Sequence, residues 1–198
     1  LAIFDAAPWP QREQRLRTLA ASGQQALATW ETPVRTLAQS PFSRVIYLGS
    51  GPLEALAREC ALKVLEPPPG RVPALANTPL GFRHGPKSLL DPQTLVVVLR
   101  SIEPVARRYE QDLLGELRRD GIAGHVLSVG PREGEATPDD WTLDVPALPD
   151  AWLAPLWLTV AQRYALHRSA ALGLTPDNPF PDGTVNRVVQ GVTIHRHG

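Results

Sequence analysis

Arg44-Val45-Ile46-Tyr47-Leu48-Gly49-Ser50-Gly51-Pro52, continuing through Glu66, is the stretch from which the fold can be read. Five residues rich in β-branched and aromatic side chains run into a glycine turn. A proline then opens a segment in which Leu53, Leu56, Ala57, Cys60 and Val64 share one apolar stripe at helical spacing. A strand that turns sharply into an amphipathic helix is a β–α unit. The turn also leaves backbone N–H groups free to face an anion or a sugar at the helix N-terminus, which makes Ser50 and Gly51 candidate substrate contacts. A tight β–α corner that binds nothing has the same composition.

The same alternation extends outward on both sides. Strand character recurs at residues 71–76, 95–99, 124–129 and 141–145, and helical spacing at 104–120 and from 150 to about 172. Strands alternating with helices predict an α/β class with a parallel sheet covered on both faces. Before the first strand, residues 11–30 have good helix formers with Leu16, Leu19, Ala20 and Leu27 at helical spacing. We therefore expect a leading or linker helix in 1–42, one α/β domain in 43–173, and a tail, 174–198, that docks over the active site. The tail begins with Pro176, Pro179 and Pro181 and goes on to Val185, Val188, Val189 and Val192, which are expected to dock.

Composition narrows the function classes. The chain has 198 residues, 43% of them apolar, enough for one domain with a core, and its 20 basic and 20 acidic side chains cancel. Zero net charge removes the long-range attraction that a nucleic-acid binder needs, so no nucleic-acid partner is expected. No membrane span is expected either, because the most span-like run, 151–161, is short and interrupted by Pro155. A single cysteine, Cys60, excludes an intrachain disulfide framework or a Cys-rich zinc site and points to a reducing, cytoplasmic setting. There are 21 prolines and no methionine, so Leu1 is read as the edge of a trimmed piece or fragment.

Two groups of residues could carry chemistry. On the helix that follows Pro52, Glu59, Lys63 and Glu66 fall at i, i+4 and i+7, so two carboxylates and an ammonium share one patch beside the apolar stripe. By spacing alone this is equally an exposed ion pair. Pro67, Pro68 and Pro69 stop the helix directly after Glu66, leaving its carboxylate at the negative end of the helix dipole. That placement, with burial, would suit a proton carrier, and Lys63 would oppose it. The second group is Gly81-Phe82-Arg83-His84-Gly85-Pro86-Lys87, a turn-forming stretch that sets an imidazole between two cationic residues. The other histidines, His125, His167, His195 and His197, read as surface residues, and no pair has a metal-ligand spacing.

Glu59-Cys60-Ala61-Leu62-Lys63-Val64-Leu65-Glu66, Phe82-Arg83-His84-Gly85-Pro86-Lys87-Ser88-Leu89, Leu174-Thr175-Pro176-Asp177-Asn178-Pro179 and the run 183–194 together resemble the sugar isomerase (SIS) family. The similar branch is the galactosamine-6-phosphate deaminase/isomerase group, also called tagatose-6-phosphate ketose/aldose isomerases. The resemblance covers residues 43–194 and implies a SIS-type three-layer α/β/α sandwich with a flavodoxin-like parallel sheet. By likeness to the isomerase half of glucosamine-6-phosphate synthase, it implies that Glu66 moves a proton between C1 and C2 of an open-chain sugar 6-phosphate and that His84 opens the ring. Glu59 and Lys63 would be their charged neighbours, and Asn186, Arg187 and Gln190 of the tail would touch the substrate. The family's histidine reaches the site from another subunit, so a homodimer with an interfacial site is implied. No metal or organic cofactor is implied.

Two departures bear on the mechanism. Gln190 stands where the synthase has a lysine that forms a Schiff base, so covalent catalysis through the tail is not expected. The family's Ser-x-Ser-Gly-x-Thr phosphate loop has no counterpart: after the strand at 95–99 the chain reads Arg100-Ser101-Ile102-Glu103-Pro104. The matching segments are those of a second SIS domain, and a phosphate-binding N-terminal SIS domain is expected as its missing partner. The alternative is a non-catalytic module that binds a sugar phosphate or only dimerises. A dinucleotide-binding reading of Gly49-Ser50-Gly51 fails on incomplete glycine spacing and on the lack of an acidic residue after the second strand.

Overall fold

The computed structural model describes residues 5–134, 136–145, 148–183, 185 and 191–195. Five strands, β1 (Arg44–Leu48), β2 (Ala74–Asn77), β3 (Thr94–Leu99), β4 (His125–Pro131) and β5 (Asp140–Leu143), form one sheet in the order β2-β1-β3-β4-β5. Every pairing is parallel. The helices are α1 (Trp9–Gln39), α2 (Pro52–Leu65), α3 (Pro79–Phe82), α4 (Pro104–Asp120) and α5 (Asp150–Ala171), with a 3₁₀ turn over Pro86–Leu89. This is the expected three-layer sandwich with a flavodoxin-like strand order.

Strand periodicity divides the core. In β1 and β3, Val45, Tyr47, Leu95, Val97 and Leu99 face the layer made by α1, α2 and α5. Ile46, Leu48, Val96 and Val98 face the other way, onto Leu113, Leu114 and Leu117 of α4 and Phe82 of α3. β3 is buried along its whole length because it lies at the centre of the sheet with helices on both sides. Among the described residues no helix is long and apolar enough to cross a membrane.

The elements with two clear ends follow the sequence reading, and the departures have local causes. α1 runs to Gln39, well past Trp30, and carries Pro33 inside it. Pro33 withholds one N–H, but Val34, Leu37 and Ala38 are buried against the core, and that packing holds the last two turns helical. α1 lies along α5 and shares the larger core cluster with it. β2 begins at Ala74, after Pro73, because a proline cannot donate to a ladder. α3 and the 3₁₀ turn were not expected: each has four residues, too few to show a periodicity.

The last connection is closed by a buried guanidinium. Arg168 of α5 donates from Nη1 to the carbonyls of Ala38 (3.1 Å) and Ser40 (2.8 Å) and from Nη2 to that of Phe42 (3.0 Å). These carbonyls lie at and just beyond the end of α1, where no helical N–H reaches them.

Candidate active site

In this strand order the chain leaves β1 and β3 toward opposite sides of the sheet, and the loops after these two strands part to open a crevice. The crevice holds a cavity of about 380 Å³ whose wall includes Ser50, Gly51, Thr78, Leu80, Glu103 and Tyr109. Ser50 and Gly51, the expected contacts on the β1–α2 turn, therefore sit at the switch point. Glu59, Lys63, Glu66 and His84 are not part of the wall.

The loop after β3 explains what this crevice is not. Its backbone donors are taken by the protein's own acids: Ser101 N–H donates to Glu110 Oε2 (2.8 Å) and Ile102 N–H to Asp150 Oδ1 (2.9 Å). Glu103 caps α4 by accepting from Val105 (3.0 Å) and Ala106 (2.8 Å). Amides that could cradle a phosphate are thus committed to carboxylates, and three acids surround the place an anion would occupy. Glu110 is fully buried, and burial pushes its carboxyl above the ordinary value, opposed by hydrogen bonds from Ser50 and Ser101. Sequence reasoning missed this cluster. The available signal was Arg107 and Glu110 standing on the same stripe of α4 as Leu113, Leu114 and Leu117, a charged pair where apolar residues belong.

The charged patch on α2 forms as its spacing requires. Lys63 Nζ lies 2.8 Å from Glu66 Oε2 and 3.4 Å from Glu59 Oε1. The hydrogen bond to Glu66 is the main reason that the Lys63 ammonium is held above its ordinary value. Glu66 is the C-cap of α2, and the turns through the three prolines follow it. The side chains of Glu59 and Glu66 are 43% and 49% exposed. The burial that would make Glu66 a tuned proton carrier is therefore not supplied by this chain.

His84 is exposed, just after α3, and its imidazole has no hydrogen bond or ion pair to any described residue. The two cationic residues that flank it in sequence are both engaged elsewhere. Arg83 and Lys87 both turn onto α4, where Arg83 reaches Glu116 at 2.9 Å and Lys87 reaches Glu116 and, at 2.7 Å, Asp120. Gly85 follows His84 with φ of +132°, a conformation that only glycine adopts without strain. The two candidate groups belong to different layers. α2 packs into the core cluster of α1 and α5, whereas Phe82, beside His84, packs into the cluster of α4. Of the tail, Val185 and Val192 are exposed, while Asn186, Arg187, Val188, Val189 and Gln190 lie outside the described residues. Among the described residues no group of three His, Cys, Asp or Glu side chains is placed to hold a metal ion.

This doubly wound sheet, with a crevice at its switch point, is shared with solved sugar isomerases of the SIS fold. The chain is 43% identical over 199 residues to D-galactosamine-6-phosphate deaminase of Escherichia coli, a match covering 98% of this chain and 51% of that protein. It is 41% identical over 162 residues to the D-galactosamine-6-phosphate deaminase of Shewanella sp. (strain ANA-3), covering 82% of this chain and 40% of the relative. Among solved structures it is similar to tagatose-6-phosphate ketose/aldose isomerase from Escherichia coli, with a TM-score of 0.79 and 38% identity over 92% of this chain and 48% of that one. No protein-family model matches the chain. The chain spans about half the length of the curated relatives it matches.

Proposed function

We propose that this chain is one SIS half of an amino-sugar-phosphate deaminase/isomerase, and that it contributes the proton-transfer residues while a companion SIS domain holds the phosphate. The observation that carries this reading is the separation of two solvent-facing half-sites: the Glu59–Lys63–Glu66 patch in one layer and an unpartnered His84 on the other side of the sheet. Each lacks what the other has. In a homodimer, His84 of one subunit would complete the patch of its partner, and the contact would bury Glu66 as a carboxylate base requires. The tail from residue 174, with Asn186, Arg187 and Gln190, would cover the substrate in the same assembly.

The chemistry balances without covalent attachment. His84 passes a proton between the ring oxygen and the C1 hydroxyl, opening the sugar to its aldehyde. Glu66 then takes the proton from C2, leaving an enediol-type intermediate, and returns it to C1. With an amino group on C2 the product is an imine, and water hydrolyses it to ammonia and a ketose 6-phosphate. Lys63, hydrogen-bonded to Glu66, fixes the carboxylate's orientation.

The test is proton NMR of the intact protein in D2O with galactosamine 6-phosphate. Loss of the C2 proton signal is expected for the wild type and not for Glu66→Gln. Coexpression of Glu66→Gln with His84→Ala should restore roughly a quarter of wild-type turnover, since half of randomly mixed dimers carry one intact composite site. Silence from the mixture, with both subunits folded, refutes the shared site. One observation favours a non-catalytic module instead: the loop after β3 presents acids rather than free amides. That reading prevails if Glu66→Gln leaves all turnover intact.

A further inference from the structure

We propose that Glu116 of α4 is the positioning residue for His84, acting through Arg83 and Lys87 on either side of it. The inference rests on His84 serving in ring opening as described above. Glu116 uses both carboxylate oxygens: Oε2 accepts from Arg83 Nε and Nη2, each at 2.9 Å, and Oε1 accepts from Lys87 Nζ. Lys87 also donates to Asp120 Oδ2 at 2.7 Å, one helical turn further along α4. The result is a polar staple from α4 to residues 83 and 87, closing the segment that carries His84 at both ends.

The staple matters because no residue from Arg83 to Leu90 is fully buried. The 3₁₀ turn at Pro86–Leu89 buries no residue, so it has no apolar anchor. Phe82, fully buried, fixes the entry to the loop, whereas at its exit Leu90 packs only partly buried against the same cluster. Within residues 84–88 the backbone is held by the turn hydrogen bonds His84 N–H to Gly81 O (3.1 Å) and Ser88 N–H to Gly85 O (2.9 Å), and beyond them Leu90 N–H donates to Lys87 O (3.2 Å) while Arg44 and Thr94 donate to Leu89 O. The Arg83, Lys87, Glu116 and Asp120 side chains are between 24% and 30% exposed, shielded enough for their contacts to hold a geometry. The two cations are bound to acids and held away from the imidazole, which leaves His84 displayed outward at a defined place.

The test compares Glu116→Gln and Glu116→Ala with His84→Ala in the intact protein, using three readouts. Amide hydrogen exchange over residues 84–90 should quicken in both Glu116 variants while the strands keep wild-type protection, showing a loosened loop in a folded protein. Turnover of galactosamine 6-phosphate, which must be opened, should fall by roughly tenfold to a hundredfold in kcat. Deuterium exchange at C1 of a 5-deoxyketohexose 6-phosphate, which cannot close to a furanose, should stay at the wild-type rate in the Glu116 and His84 variants alike. Unchanged loop exchange in Glu116→Ala overturns the proposal whatever the activity. So does a loosened loop with unchanged kcat for the cyclic substrate while His84→Ala is impaired. If His84→Ala turns over the cyclic sugar normally, the ring-opening role itself is wrong, a separate result that also removes the proposal.

Discussion

At Gly49 a methyl group has nowhere to go: a Cβ there would lie 2.2 Å from the carbonyl oxygen of Leu53. The close approach lets β1 pass into α2 without a longer loop, so Gly49→Ala should cost about 2–3 kcal/mol, read as a lower urea midpoint with an unchanged slope. Asp140 and Glu110 make opposite statements about pH. Burial alone would raise the Asp140 carboxyl, but donors on Arg118, Ser128 and Thr137 outweigh it and hold the group well below its ordinary value of 3.8. A depressed folded value means stability that is complete above the ordinary value and is lost as the pH falls from there through the folded one. Asp140→Asn should therefore cost roughly 2–3 kcal/mol at neutral pH and progressively less in acid. Glu110 is shifted upward from 4.5, so its contribution is greatest at low pH and declines as the pH rises through the folded value. Glu110→Gln should gain on the wild type with rising pH, measured by urea unfolding across the range.

Among the elements, the junction of α1 and α5 is the most consequential contact. Arg168→Ala removes the guanidinium donor from the carbonyls of Ala38, Ser40 and Phe42, of which Ser40 keeps the N–H of Phe42 at 2.8 Å. The expected loss is about 3 kcal/mol, and Arg168→Lys should not recover it, because one ammonium cannot match a planar fork that serves three acceptors. Circular dichroism melts of the two variants measure both effects. Elements with marked ends were legible from the sequence. β1 is bounded by its glycine turn, and α4 begins at Pro104 and ends before Gly121, whose φ of +62° stops it. The second half of α1 was not legible, because Pro33 reads as a break and only contacts far along the chain overrule it. In the candidate site, the spacing of Glu59, Lys63 and Glu66 foretold their ion pairs. Nothing local could show that Arg83 and Lys87 find Glu116, about thirty residues away.

For the whole molecule, α1 is one wall of the domain. Trp30 of α1 packs with Trp141 and Trp157 at centroid distances of 6.4 and 6.2 Å, joining the first helix, the last strand and the last helix. A chain beginning at residue 43 would expose Leu156, Trp157 and Val160 on the vacated face. We expect it to bind anilinonaphthalene sulfonate and to lose near-ultraviolet circular dichroism while keeping much of its helical signal. A native-like, dye-silent product would show that 43–198 folds without α1. The bonds from Arg168 to the end of α1 bring their own consequence. They join residues 126 to 130 positions apart, so the end of α1 is completed only once α5 has been made. Every strand pair is also a crossover, and no hairpin can form early to hold the nascent chain together. This domain must therefore be synthesised through α5 before α1 can settle, which leaves the apolar wall of α1 open to chaperones while the intervening strands are made.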